Sequence, residues 1–142
     1  MTAQLLAITV LVLVVVVLLA VLLARRRGGG LEIAQVSDTD ANRYRADFVV
    51  IAAEAEERPQ VAAGRARGTV EEVLRRMGFP DRVDSAQKAK DVAAYDRQVS
   101  KLLTEADAAL DGSADPKVLV RAVELYGQAL ERLLPVEESD HG

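Results

Sequence analysis

The chain has 142 residues, half of them hydrophobic, with a formal charge of −4, no cysteine and a single histidine, His141. Without cysteine there is no disulfide, no thiol nucleophile and no thiolate metal site, and one histidine cannot build a zinc centre. Taking Arg25 to Arg27 from the 18 Lys and Arg leaves 15 against 22 Asp and Glu, so the chain from Leu31 onward carries −7, a sign that repels nucleic acid and anionic headgroups.

Leu5 to Ala24 contains only Leu, Val, Ile and Ala, with one threonine, Thr9. As a helix rising ~1.5 Å per residue it is ~30 Å long, the thickness of a bilayer's hydrocarbon core. Arg25-Arg26-Arg27 stops it abruptly. A cleavable signal peptide needs a basic start, a short apolar core and a small-residue cleavage site. Met1 to Gln4 hold no basic side chain, and the apolar run is longer than that core, so an uncleaved anchor in the lipid bilayer is the reading. All nearby positive charge lies after the span, which places the remainder of the chain in the cytoplasm, with the protein single-pass in the cell membrane. With no ionisable residue and no glycine, the span predicts a tether, neither an ion path nor a tight helix dimer.

Gly28-Gly29-Gly30 reads as a hinge after the arginines. The Arg-Gly run resembles an RGG nucleic-acid segment only superficially; beside a span, stop-transfer plus hinge is the reading. Leu31 to Val36 either carries the chain down to the domain or packs on it. The predicted organisation is thus 1–4 a short end, 5–24 the transmembrane helix, 25–37 the basic stop and hinge, 38–135 a helical bundle domain, and 136–142 an acidic flexible tail.

The first helix of the domain is predicted from Thr39 to Glu57, capped by Ser37 or Asp38. Ala41, Tyr44, Phe48, Ile51, Ala52 and Ala55 recur at spacings of three and four and make one apolar face. Glu54, Glu56 and Glu57 crowd its C-terminal end, where the helix dipole disfavours them. They read as a solvated end in preference to a cation site. The second helix starts at Pro59 and buries Ala62, Ala66, Val70, Val73, Leu74 and Met77. Gly64 and Gly68 weaken it, and Thr69 with Glu72 has capping-box spacing, so a restart at Thr69 is an option. No strand precedes Gly64 to Gly68 and no Gly-Lys-Ser/Thr follows, which argues against a phosphate loop and for close helix packing or a bend. Gly78 and Pro80 stop the helix, with Phe79 turned back into the core.

A third helix is predicted from Asp84 or Ser85 to Asp111 without interruption, burying Val92, Tyr95, Val99, Leu102, Ala106 and Ala109. Gly112 ends it. The fourth is capped by Asp115, opened by Pro116 and closed by Pro135, and buries Leu119, Ala122, Val123, Tyr126, Leu130, Leu133 and Leu134. Ala122, Tyr126 and Ala129-Leu130 followed by Pro135 echo a tetratricopeptide helix, but the proline is one place late and no second copy exists at that period. The fold class predicted is all-α: one transmembrane helix, then an antiparallel bundle of about four helices.

Arg58-Pro59, Val70 to Pro80, Val92 with Tyr95, and Leu119 to Ala122 with Tyr126 and Leu133-Leu134 form a further pattern. On these positions, above all Met77-Gly78-Phe79-Pro80, the chain from Arg43 to Leu134 resembles an uncharacterised family of actinobacterial, often membrane-anchored helical proteins. The resemblance implies a helical domain and an anchor, and no activity.

No catalytic, cofactor-binding or metal residues are predicted. His141 stands in the tail without a nucleophile, and Tyr44, Tyr95 and Tyr126 read as core tyrosines with a polar handle, not as a carbohydrate platform. No enzyme is expected. The expected function is a membrane-anchored interaction or scaffold module with a protein partner. The rivals are an accessory subunit of a larger membrane complex, or an extracytoplasmic envelope or ligand-binding protein.

Overall fold

The computed structural model describes residues 2–28 and 32–136, divided into two units on either side of Glu32 and Ile33. All regular structure among the described residues is helical, in six helices with no strand.

The first unit is α1, Thr2–Gly28. Its stretch Ala3–Leu22 is long and apolar enough to cross a membrane, and every side chain along it is exposed. The hydroxyl of Thr9 donates to the carbonyl of Leu5 at 2.7 Å, so the one polar side chain between Leu5 and Leu22 is satisfied within the helix. The helix runs on through Arg25 to Arg27 and takes in Gly28, the first of the three consecutive glycines. Gly29 and Gly30 lie outside the described residues, as do residues 137–142 of the tail, His141 among them.

The second unit begins in extended chain. Ala34 donates its N–H to the carbonyl of Met77 at 2.9 Å and Val36 is buried, so the stretch leading into α2 packs on the domain. Ser37 caps α2, Asp38–Glu54, its side chain accepting from the N–H of Asp40 at 3.2 Å. The helix ends at Glu54, and the expected last turn to Glu57 is a bend into α3, Pro59–Met77. That helix is continuous. Beta carbons added at Gly64 or Gly68 would meet nothing within 4 Å, and Thr69 donates back to the carbonyl of Arg65 at 3.0 Å, so no restart occurs. Gly78 closes it at φ 107°, a left-handed conformation that glycine takes without a side-chain clash. Phe79 is buried, as expected.

The expected third helix is two helices. It breaks at Asp96 into α4, Ser85–Tyr95, and α5, Arg97–Gly112. Asp96 is extended, at φ −152° and ψ 111°, and its carboxylate accepts from the N–H groups of Gln98 at 2.9 Å and Val99 at 3.3 Å. From the other side, Arg132 donates to the same carboxylate at 3.1 Å. A residue that reads as mid-helix in a periodic run is thus a cap, so the domain holds five helices. The break also overturns the reading of Tyr95 as a core tyrosine. It is 41% exposed and lies edge-on to Phe79, with ring centroids 5.7 Å apart.

Asp115 caps α6, Pro116–Leu133, accepting from the N–H of Lys117 at 3.0 Å. This helix packs most extensively, against α5 and α3, and only lightly against α2. Its whole predicted stripe is buried, and Leu125 and Ala129 with it. On α2 the match is partial: Ala41, Tyr44, Ile51 and Ala55 are buried, Phe48 is half-buried and Ala52 is exposed.

Candidate functional site

The loose seating of α2 creates the most distinctive surface. From Ala46 to Ala53 this helix reads Ala-Asp-Phe-Val-Val-Ile-Ala-Ala, apolar around its whole circumference except at Asp47. Such a helix is normally covered on all sides. Here α3 covers one side, α6 touches another lightly, and the rest is open. Val49 is 69% and Val50 59% exposed, and Ala46, Ala52 and Ala53 are exposed beside them.

Between α2 and the α5–α6 pair runs a groove walled by Phe48, Val49 and Ala52 on one side and Leu102 and Leu130 on the other. Gly127 also lines it, with Gln98, Glu124 and Gln128. A beta carbon at Gly127 would lie 2.8 Å from the edge of the Phe48 ring, so only glycine lets that ring lie against α6. Two arginines hold the rim. Arg45 donates to the carbonyl of Pro135 at 2.5 Å and pairs with Glu131 at 3.4 Å, tying α2 to the end of α6. Arg132 grips Asp96. The groove thus combines apolar side chains with polar and charged ones, as protein-binding surfaces do.

A second, polar cleft lies between α3, α4 and α5, and its charges neutralise one another. Arg67 pairs with Asp111 at 2.9 Å and approaches Asp107 at 4.0 Å, while Lys88 pairs with Glu71 at 3.1 Å. The hydroxyl of Tyr126 donates to Asp107 from within the core. Burial, then that hydrogen bond, holds the Tyr126 phenol well above its ordinary range, so it stays protonated and is no general base. Tyr44 is held protonated likewise, by burial first, and donates to Glu72 at 3.2 Å.

No family model, curated protein or solved structure matches this chain. The surface chemistry is therefore the guide to function. Among the described residues, no three His, Asp or Glu side chains are grouped to hold a metal ion. The acidic end of α2 is split: Glu54 bonds to Arg65 at 2.7 Å, while Glu56 and Glu57 are exposed and make no ion pair among the described residues. The Gly64 to Gly68 stretch is regular helix with no turned-in amide cluster. Periodicity missed the open face of α2 because it looks for one apolar stripe. The overlooked signal was the unbroken apolar run from Phe48 to Ala53, too apolar for a helix with a solvated back.

Proposed function

We propose that this chain is a single-pass membrane protein whose helical domain is an interaction or scaffold module, docking a protein partner on α2. One observation carries the reading: from Ala46 to Ala53 α2 is apolar all round except at Asp47, yet only α3 covers it well and α6 touches it lightly. Each fully covered Val contributes ~1.5–3 kcal/mol, so leaving Val49 and Val50 in water forgoes several kcal/mol that a partner would recover.

The anchor rests on α1. Between Leu5 and Leu22 it exposes fifteen large apolar side chains. At roughly 2 kcal/mol each, holding them in water costs on the order of 30 kcal/mol, which lipid relieves. The arginines after the span support a cytoplasmic domain. The short connections at residues 55–58 and 113–115 support an antiparallel arrangement of α2 with α3 and of α5 with α6. Membership of the actinobacterial helical family belongs to the same proposal. No catalytic role is proposed, because the charged groups of the polar cleft are engaged with one another.

The test is affinity capture of full-length protein from detergent-extracted membranes, with Val49→Glu as the paired variant. A stoichiometric protein lost with the variant, a second copy of the chain included, supports the reading. A solitary protein, or a partner held equally by the variant, overturns it.

A further inference from the structure

We propose that the occupant of the open α2 face is a second copy of this chain, packed with its own α2 antiparallel. The proposal rests on the reading of α2 as a docking surface and names its partner. Asn42, Ala46, Val49 and Ala53 are all exposed and follow one another at spacings of four, three and four, the seam of a two-helix coiled coil. They lie on the side of α2 opposite the buried Tyr44 and Ile51. The small side chains at Ala46 and Ala53 flank Val49 and Val50, so two such helices approach closely and fill each other's gaps.

Charge sets the orientation. Glu56 and Glu57 lie exposed just beyond the C-terminal end of α2 and make no ion pair among the described residues. A parallel pair would set these carboxylates against their own copies, at the negative ends of both helix dipoles. An antiparallel pair, with its two-fold axis at Val49–Val50, sets Ala46 opposite Ala53 of the second copy. It also carries Glu56 and Glu57 toward Arg43 of the second copy. Arg43 is half exposed: its guanidinium lies over the Tyr44 ring, 5.1 Å from the centroid, and 3.8 Å from Asp40, which leaves its outer face open to a further carboxylate. The two-fold makes this pairing twice, and confinement to one membrane raises the encounter frequency of two anchored copies.

The absence of native cysteine makes the test direct. Full-length Val50→Cys protein in its membrane is oxidised with copper phenanthroline, beside Val61→Cys, a comparably exposed position on α3. The expected result is a covalent dimer from Val50→Cys well above the Val61→Cys background. A mixture of two differently tagged chains, Ala46→Cys and Ala53→Cys, should cross-link more to each other than to themselves. The reverse preference overturns the antiparallel pairing, and Val50→Cys yields at background overturns self-association. Adding Arg43→Glu should lower the Val50→Cys dimer about threefold to fivefold, and Glu57→Arg in the same chain should restore it, since two symmetric exposed pairs are removed and then reversed. If no dimer forms while Val49→Glu still releases a different captured protein, the docking surface stands and the second copy falls.

Discussion

Asp96→Ala isolates the contact that breaks the long periodic run into α4 and α5. The substitution removes a carboxylate that accepts from the N–H groups of Gln98 and Val99 at 2.9 and 3.3 Å and receives Arg132 at 3.1 Å. An N-cap of this kind contributes ~1 kcal/mol. The ion pair joins a half-exposed arginine to a mostly covered aspartate, so solvent screening holds it to ~0.5 kcal/mol. Alanine returns part of the loss only if residue 96 becomes helical, which would swing α4 off the domain. There it would lose the burial of Val92 and the bond from the Ser100 hydroxyl to the Ala89 carbonyl at 2.8 Å. The net expectation is a loss of about 1.5 kcal/mol, or a thermal midpoint lowered by about 6–10 °C in a domain of this size. Thermal unfolding of the full-length protein in detergent, followed by circular dichroism, measures it. Arg132→Ala should cost less, and the double variant less than the sum, because the two share one interaction. An unchanged or raised midpoint with added helical signal would mean that the continuous helix is the better state, and the reasoning would fail.

Gly64→Ala and Gly68→Ala should each stabilise the domain by about 1 kcal/mol, since a beta carbon meets nothing at either site and glycine is the poorer helix former; a lowered midpoint in chemical denaturation would contradict this. Tyr126 and Tyr44 both hold their phenols above the ordinary 10.0, so the unfolded chain ionises first as pH rises. Their stabilisation is complete below pH 10.0 and declines as pH climbs from there toward the folded values. Tyr126→Phe should lower neutral stability by about 1 kcal/mol and flatten part of that alkaline decline, both read from unfolding midpoints across pH. Alkaline carbonate washing of membranes should leave the intact, full-length polypeptide in the pellet. Release of the whole chain would remove the anchor, and a shorter chain by mass would show cleavage near the arginines.

The sequence alone determined the local features. Nineteen apolar residues in the twenty from Leu5 to Ala24 specify a helix of membrane length whatever lies around it. Asp115 caps, Ser37 is the one of the two candidates Ser37 and Asp38 that caps, Pro59 and Pro116 open, and Gly78 closes, because each acts through its own backbone or that of residues two or three away. The stripes of α3 and α6 were equally legible, since strong amphipathic periodicity leaves one way to bury a helix. What only the tertiary structure decided involves partners distant in the chain. Asp96 has an unremarkable helical neighbourhood; its carboxylate caps α5 locally and also receives Arg132, 36 positions on, a partner the local sequence does not show. Tyr95 follows that break out of the core. The open face of α2 emerges because α6 spends its own apolar stripe on α3 and α5, leaving an apolar helix with too few neighbours. Pairing across long separations is a competition among faces, and which face is left uncovered appears only when all the helices are in place.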